Sequence, residues 1–225
     1  MHDVTMIDFG LVDGSIEEAL QAIYAEAAAY CARQGLQLHM VALTRISLGW
    51  TSSWSYPTGS WFKGQDTVSL LAYLQWKYES LILTCGDHEH VTYMMDIFQV
   101  VKASNSFMRC MYHAGLWLGH DERDHIILNM SIVLQGFLGL AEYAYEGLSL
   151  TRWKLQPKFH ALAELRYSLM KQKASQYDSI SPLAFATQLD EDFVGRVSTF
   201  SRTVASRTIH QKTIERYLIA LESGW

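Results

Sequence analysis

The sequence predicts a mainly α-helical fold, a single helical domain over residues 1–225. Three observations predict it. From Ser15 onward apolar residues recur at spacings of three and four, the period of one helix face. Runs that alternate apolar with polar, the pattern of a half-buried strand, are almost absent. Only three prolines interrupt the 225 residues, so long helices meet few breakers. With 49% hydrophobic and 18% charged residues, the chain carries enough apolar side chain to bury a sizeable core.

The first helix opens at Ser15, which forms a capping box with Glu18, and Glu17 lies near the positive helix end. Ile16, Leu20, Ile23, Ala27 and Cys31 make its apolar face, and Gly35 ends it as the C′ residue. Leu36 to Leu48 fits either a short strand or a second helix. Residues 49–64 gather Trp50, Trp54, Tyr56, Pro57, Gly59 and Trp61 among serines, which predicts an ordered aromatic loop. Beyond Asp66 the pattern is helical. Val68, Leu71, Leu74 and Tyr78 form one stripe, which Gly86-Asp87 breaks. Val91, Met94, Met95, Phe98 and Val101 form the next, and Phe107, Met111, Ala114 and Leu118 follow it. Gly119 to Asp124 reads as a polar turn. The uncharged run from Ile126 to Ala141 predicts a buried core helix that reaches about Tyr145 and stops at Gly147. Two more helices are expected, near Pro157–Gln172 and over Glu191–Glu222, the second broken near Ser206.

Charge is unevenly distributed. Residues 1–150 hold 7 Lys+Arg against 16 Asp+Glu, whereas residues 151–225 hold 11 against 7. An acidic body with a basic C-terminal part suits a nucleic-acid or phosphate partner at that end, or mutual attraction between the two parts. Cys31, Cys85 and Cys110 are odd in number and lack a CxxC, which fits reduced thiols and an intracellular (cytoplasmic or nuclear) location. The N-terminus has neither the basic nor the apolar region of a secretory signal. The run Ile126–Ala141 falls short of the roughly 20 apolar residues a bilayer requires, so no membrane partner is expected. Seven Trp and twelve Tyr would permit base or ligand stacking, but most are expected in the core. There is no Gly-rich phosphate loop, no GxSxG, and no Cys-His arrangement of nucleophile type.

Two constellations carry possible chemistry. The first comprises Gln156-Pro157-Lys158-Phe159-His160, Ser181-Pro182-Leu183-Ala184-Phe185, the acidic triplet Asp190-Glu191-Asp192 leading to Arg196, and the stretch Arg207 to Tyr217. In order and spacing it resembles uncharacterised protist protein families. More distantly it is similar to the helical C-terminal part of cut-and-paste transposases with a ribonuclease-H-like (DDE) core. The similarity spans about Lys63 to Tyr217. It implies Glu191 as the third catalytic acid, with Asp190 or Asp192 as the register alternatives, and His160 as a supporting residue. Such a nuclease uses Mg²⁺ or another divalent metal held by carboxylates. The first two acids should lie on strands of a central sheet, and only Asp8 and Asp13 are early carboxylates in a suitable place. The expectation is therefore a nucleic-acid-associated protein that lacks a complete nuclease site. Apart from the resemblance, the triplet can be read as a helix start rich in acids. Lys158, Arg196, Arg202, Arg207, Lys212 and Arg216 are the candidate phosphate contacts, and no helix-turn-helix, zinc-finger or RNP signature accompanies them.

The second constellation is His88-x-His90, His113, His120-Asp121, Asp124 and His125. A histidine about thirty residues before a His-Asp pair resembles the pattern of HD-domain phosphohydrolases. The resemblance implies His90, His120 and Asp121 as metal ligands, with Asp178 as the last one. A solvated polar turn explains the same residues. A helical scaffold with a protein partner and no catalysis is the third reading.

Overall fold

The computed structural model describes residues 16–50, 64–84, 91–149, 152–175, 178–185, 197–202 and 204–222. They are mainly helical, as the spacing of apolar residues predicts. The chain divides into two compact units, Met1–Ser181 and Pro182–Trp225.

In the first unit, α1 (Ile16–Gln34) buries Ala19, Leu20, Ile23, Ala27 and Cys31, four of them on the predicted stripe. Its end is a Schellman turn: Leu36 N–H donates to the Cys31 carbonyl at 2.9 Å and Gly35 N–H to that of Ala32 at 3.4 Å. Gly35 has φ +66°, a conformation in which a side chain would be strained. Leu36 to Leu48 is neither strand nor helix. It runs irregularly to a turn at residues 45–49. Met40, Leu43, Leu48 and Trp50 nonetheless pack with Leu20, Ile23, Ala27, Leu70 and Tyr73 into one core cluster. The segment is apolar because it is buried, and its backbone is anchored by side chains. Asp66 Oδ1 accepts from His39 N at 2.6 Å, and Ser69 Oγ donates to the Gln37 carbonyl at 2.7 Å. Most of the aromatic loop lies outside the described residues.

Helix α2 (Gly64–Thr84) leads to α3 (Val91–His113). Asn105 on α3 donates to the Leu71 carbonyl at 3.0 Å and to Gln75 Oε1 at 2.8 Å, joining the two. Helix α4 (His120–Glu146) makes its most extensive packing with α3 and also covers α5 (Pro157–Ala174). Gly136 allows the α3–α4 approach, since a Cβ there would overlap Val100 Cγ2. The predicted turn at Gly119 to Asp124 is instead the start of α4. Gly119 is its N-cap, and Glu122 Oε2 accepts the Gly119 N–H at 2.8 Å. Asp121 and Glu122 favour this end because the exposed N–H groups there are partly positive. Acids that read as a solvated turn are thus the first helical turn. The core helix is buried on one side only: Ile126, Met130, Val133 and Leu140 are buried, while Leu128 and Leu138 are exposed. By length and hydropathy α4 is the one described helix that could cross a bilayer, a test that a core helix also passes.

The chain then turns through Ser149 and Trp153, both at positive φ. Trp153 is held there by its Nε1–H, which donates to Tyr93 Oη at 2.9 Å, and by edge packing on Phe137 at 5.3 Å. Two short strands, β1 (Trp117–Leu118) and β2 (Ser179–Ile180), pair antiparallel, Trp117 opposite Ile180. At two residues each they are too short to leave an alternation in sequence.

The second unit holds a 3₁₀ turn at Pro182–Phe185, a helical turn at 197–201, a 3₁₀ turn at Ser206–Thr208 and α6 (Ile209–Glu222). The break expected near Ser206 is there: a 3₁₀ turn occupies Ser206–Thr208 directly before α6.

Candidate functional site

Glu191, Asp192, Asp190 and Arg196 lie outside the described residues, as do His90, Asp8 and Asp13. The described candidates are all on the surface. Pro157 sits at the first position of α5, where its missing N–H costs nothing, and Lys158 and His160 in the same first turn are exposed. The His160 ring lies 3.8 Å from Glu164, with both side chains largely solvated. His120 and Asp121 are consecutive and exposed at the start of α4. Arg123 Nη2 meets His120 Nδ1 at 3.1 Å, which places the neutral ring's proton on Nε2. Among the described residues no group of three His, Cys, Asp or Glu side chains is arranged to hold a metal. Asp178 is exposed beside β2.

The basic candidates of the second unit are more organised than their spacing suggests. Arg216 Nη1 donates to the Phe200 carbonyl at 3.0 Å, so its guanidinium closes the end of the helical turn that Arg202 follows. Lys212 lies one helical turn before Arg216 and donates to Glu215 Oε2 at 2.6 Å. That hydrogen bond, with a second from Gln211, holds the Glu215 carboxyl below the usual carboxylate range. Arg207 is exposed in the 3₁₀ turn before α6.

Elsewhere among the described residues, reactive side chains gather at a cleft of about 330 Å³ between the end of α3 and the start of α4. Ser106, Arg109, Cys110 and His113 line it from α3, and Glu122 and His125 from α4. Helical spacing puts the four α3 residues on one face, and the α3–α4 packing brings the α4 pair opposite. Ser106 Oγ lies 2.8 Å from His125 Nε2. Asn129 Nδ2 donates to the His125 carbonyl at 2.8 Å and lies 3.2 Å from the same Nε2. An amide nitrogen is a donor, so Nε2 is the accepting nitrogen, the ring proton sits on Nδ1, and Ser106 donates. The Cys110 thiol is pushed up by burial and by the Glu122 charge, so it stays protonated and is no nucleophile. Sequence reading noted His113 and His125 as histidines but missed the cleft. Its signal is the row Ser106, Arg109, Cys110, His113 at spacings of three and four, which becomes a wall only once α4 faces it.

A second polar feature lies at the start of α2. Asp66 is 1% exposed and holds His39 through both its backbone N–H and, at 3.2 Å, its Nδ1. This pair ties the irregular segment to α2.

No family model, curated protein or solved structure gives a significant match to this chain.

Proposed function

We propose that this chain is a nucleic-acid-associated protein derived from a DDE-type transposase, in which the basic second unit contacts phosphates. The reading rests on the sequence resemblance. The single observation that supports it structurally is the Arg216–Phe200 hydrogen bond at 3.0 Å. It holds the Arg216 guanidinium against the helical turn that Arg202 follows in the chain. Arg202, Arg207, Lys212 and Arg216 are all exposed in the second unit, against Glu215 and Glu222 as the carboxylates among the described residues. Lysine and arginine that neutralise phosphates release counterions, so binding is strong at low salt and largely indifferent to sequence. No cleavage step is assigned, because Glu191 and Asp192 lie outside the described residues.

The test is a mobility-shift titration of a random-sequence duplex at several salt concentrations. Arg202 and Arg207 are the residues to change, since Arg216 also holds the fold of the unit together. Replacing both by Gln is expected to reduce the salt slope by about 1.8 log units, two phosphate contacts' worth. Absence of any shift at low salt would overturn the reading. A protein-binding helical scaffold would then take its place, favoured by the exposed Ile214, Leu218 and Ile219 on α6.

A further inference from the structure

We infer that the α3–α4 cleft binds a small zwitterion, a molecule that carries an ammonium and a carboxylate group. This reading is independent of the nucleic-acid reading and uses the other unit. Its basis is a pair of opposite charges that share a cleft without neutralising each other. Arg109 and Glu122 both line the cavity, yet Arg109 forms no hydrogen bond or ion pair with any described residue. A guanidinium and a carboxylate within reach of one another would pair. In this structure they do not pair. Glu122 is fixed by its capping bond to Gly119 N at 2.8 Å through Oε2, and this leaves Oε1 for a ligand. Its position belongs to the start of α4, whereas Arg109 is set by α3.

The remaining walls fit the same ligand. The Ser106 hydroxyl donates its hydrogen bond to His125 Nε2, so its oxygen offers lone pairs to an ammonium group. The Arg109 fork offers parallel N–H groups to a carboxylate. A ligand with the anion alone would face the Glu122 charge, and one with the cation alone would face Arg109. A molecule with both satisfies each wall. Cys110, kept protonated by burial and the Glu122 charge, also lines the cleft, as does His113. The cavity, about 330 Å³, has room for an amino acid of modest size.

The experiment is a titration of the isotopically labelled full chain with L-alanine and 4-aminobutyrate, which bracket the spacing of the two charges. N-acetyl-L-alanine and L-alaninamide serve as single-charge controls. The expected result is saturable shifts of the Ser106, Arg109 and Glu122 amides with a Kd of roughly 1 mM for at least one zwitterion. Each blocked derivative should bind about tenfold more weakly, the value of one charge-assisted hydrogen bond. Arg109→Gln should abolish the advantage over the amide, and Glu122→Gln the advantage over the N-acetyl compound. Gln at position 122 keeps an oxygen for Gly119, so the helix start survives the change. No saturation by either zwitterion up to about 100 mM would overturn the proposal. Equal binding of N-acetyl-L-alanine and L-alanine would overturn it too, by making the cleft a simple anion site.

Discussion

Val100 and Gly136 show how far one residue decides the packing of the first unit. Val100 is 7% exposed and its β-branched side chain has little rotamer freedom, so it cannot step aside for a Cβ at position 136. Gly136→Ala therefore sets overpacking of about 1–3 kcal/mol against a helix-propensity gain of about 0.5–1 kcal/mol. The expected outcome is a lower urea midpoint, with partial recovery when Val100→Ala is added. A cost for the double variant equal to the sum of the two singles would show that the residues do not touch. Tyr73 is the polar counterpart. It is fully buried, yet its hydroxyl donates to Glu26 Oε2 at 2.7 Å while Lys77 holds Oε1 at 2.7 Å. Burial and the Glu26 carboxylate together push its phenol far up, so it stays a donor throughout the accessible pH range.

At the scale of elements, α4 and α5 are joined by one ion pair whose pH dependence can be worked out. Lys173 Nζ lies 2.8 Å from Asp124 Oδ2, and Arg123 Nε lies 3.1 Å from Oδ1. The Lys173 hydrogen bond leads the causes that hold the Asp124 carboxyl below the usual range. A depressed carboxylate contributes stability above its unfolded pKa, about 3.9, and that stability is lost as pH falls through the lower folded value. Asp124→Asn is thus expected to melt earlier than wild type at pH 7. The gap should close only below the ordinary carboxylate range, as thermal melts across pH would record. A gap that persisted unchanged to pH 2 would mean that packing, not charge, joins the helices here. Helix ends were readable in advance where their chemistry is local. Gly35 and Gly147 end their helices as the sequence implies, because a C-terminal turn is closed by its own last residues. The start of α4 was misread because acids mark a solvated turn and a helix N-terminus equally well.

For the whole molecule the division after Ser181 makes a direct prediction. The β1–β2 pairing and the Ser181 N–H to Leu116 carbonyl bond at 2.9 Å both lie within the first unit. A chain that ends at Ser181 is expected to keep the cooperative unfolding of α1–α5, and to lose the nucleic-acid binding proposed for the second unit. Circular dichroism melts and mobility shifts of the shortened and full chains check both halves. Retained binding by the shortened chain would move the phosphate contacts to Lys158 and the rest of α5.

The sequence by itself determined the helical class, the apolar face of α1 and the approximate spans of the helices. These follow from side chains repeating every three to four residues, information carried within one element. Only the tertiary structure decided the rest. Leu36 to Leu48 is irregular because side chains on α2 hold its backbone, a fact no local pattern records. The β1–β2 pair joins residues more than sixty positions apart through two-residue strands. The α3–α4 cleft exists because packing sets Ser106 and Arg109 opposite Glu122 and His125, which neither helix specifies alone. Contacts between elements arise from the sum of many weak burial terms, and a local reading of sequence contains only the terms within each helix.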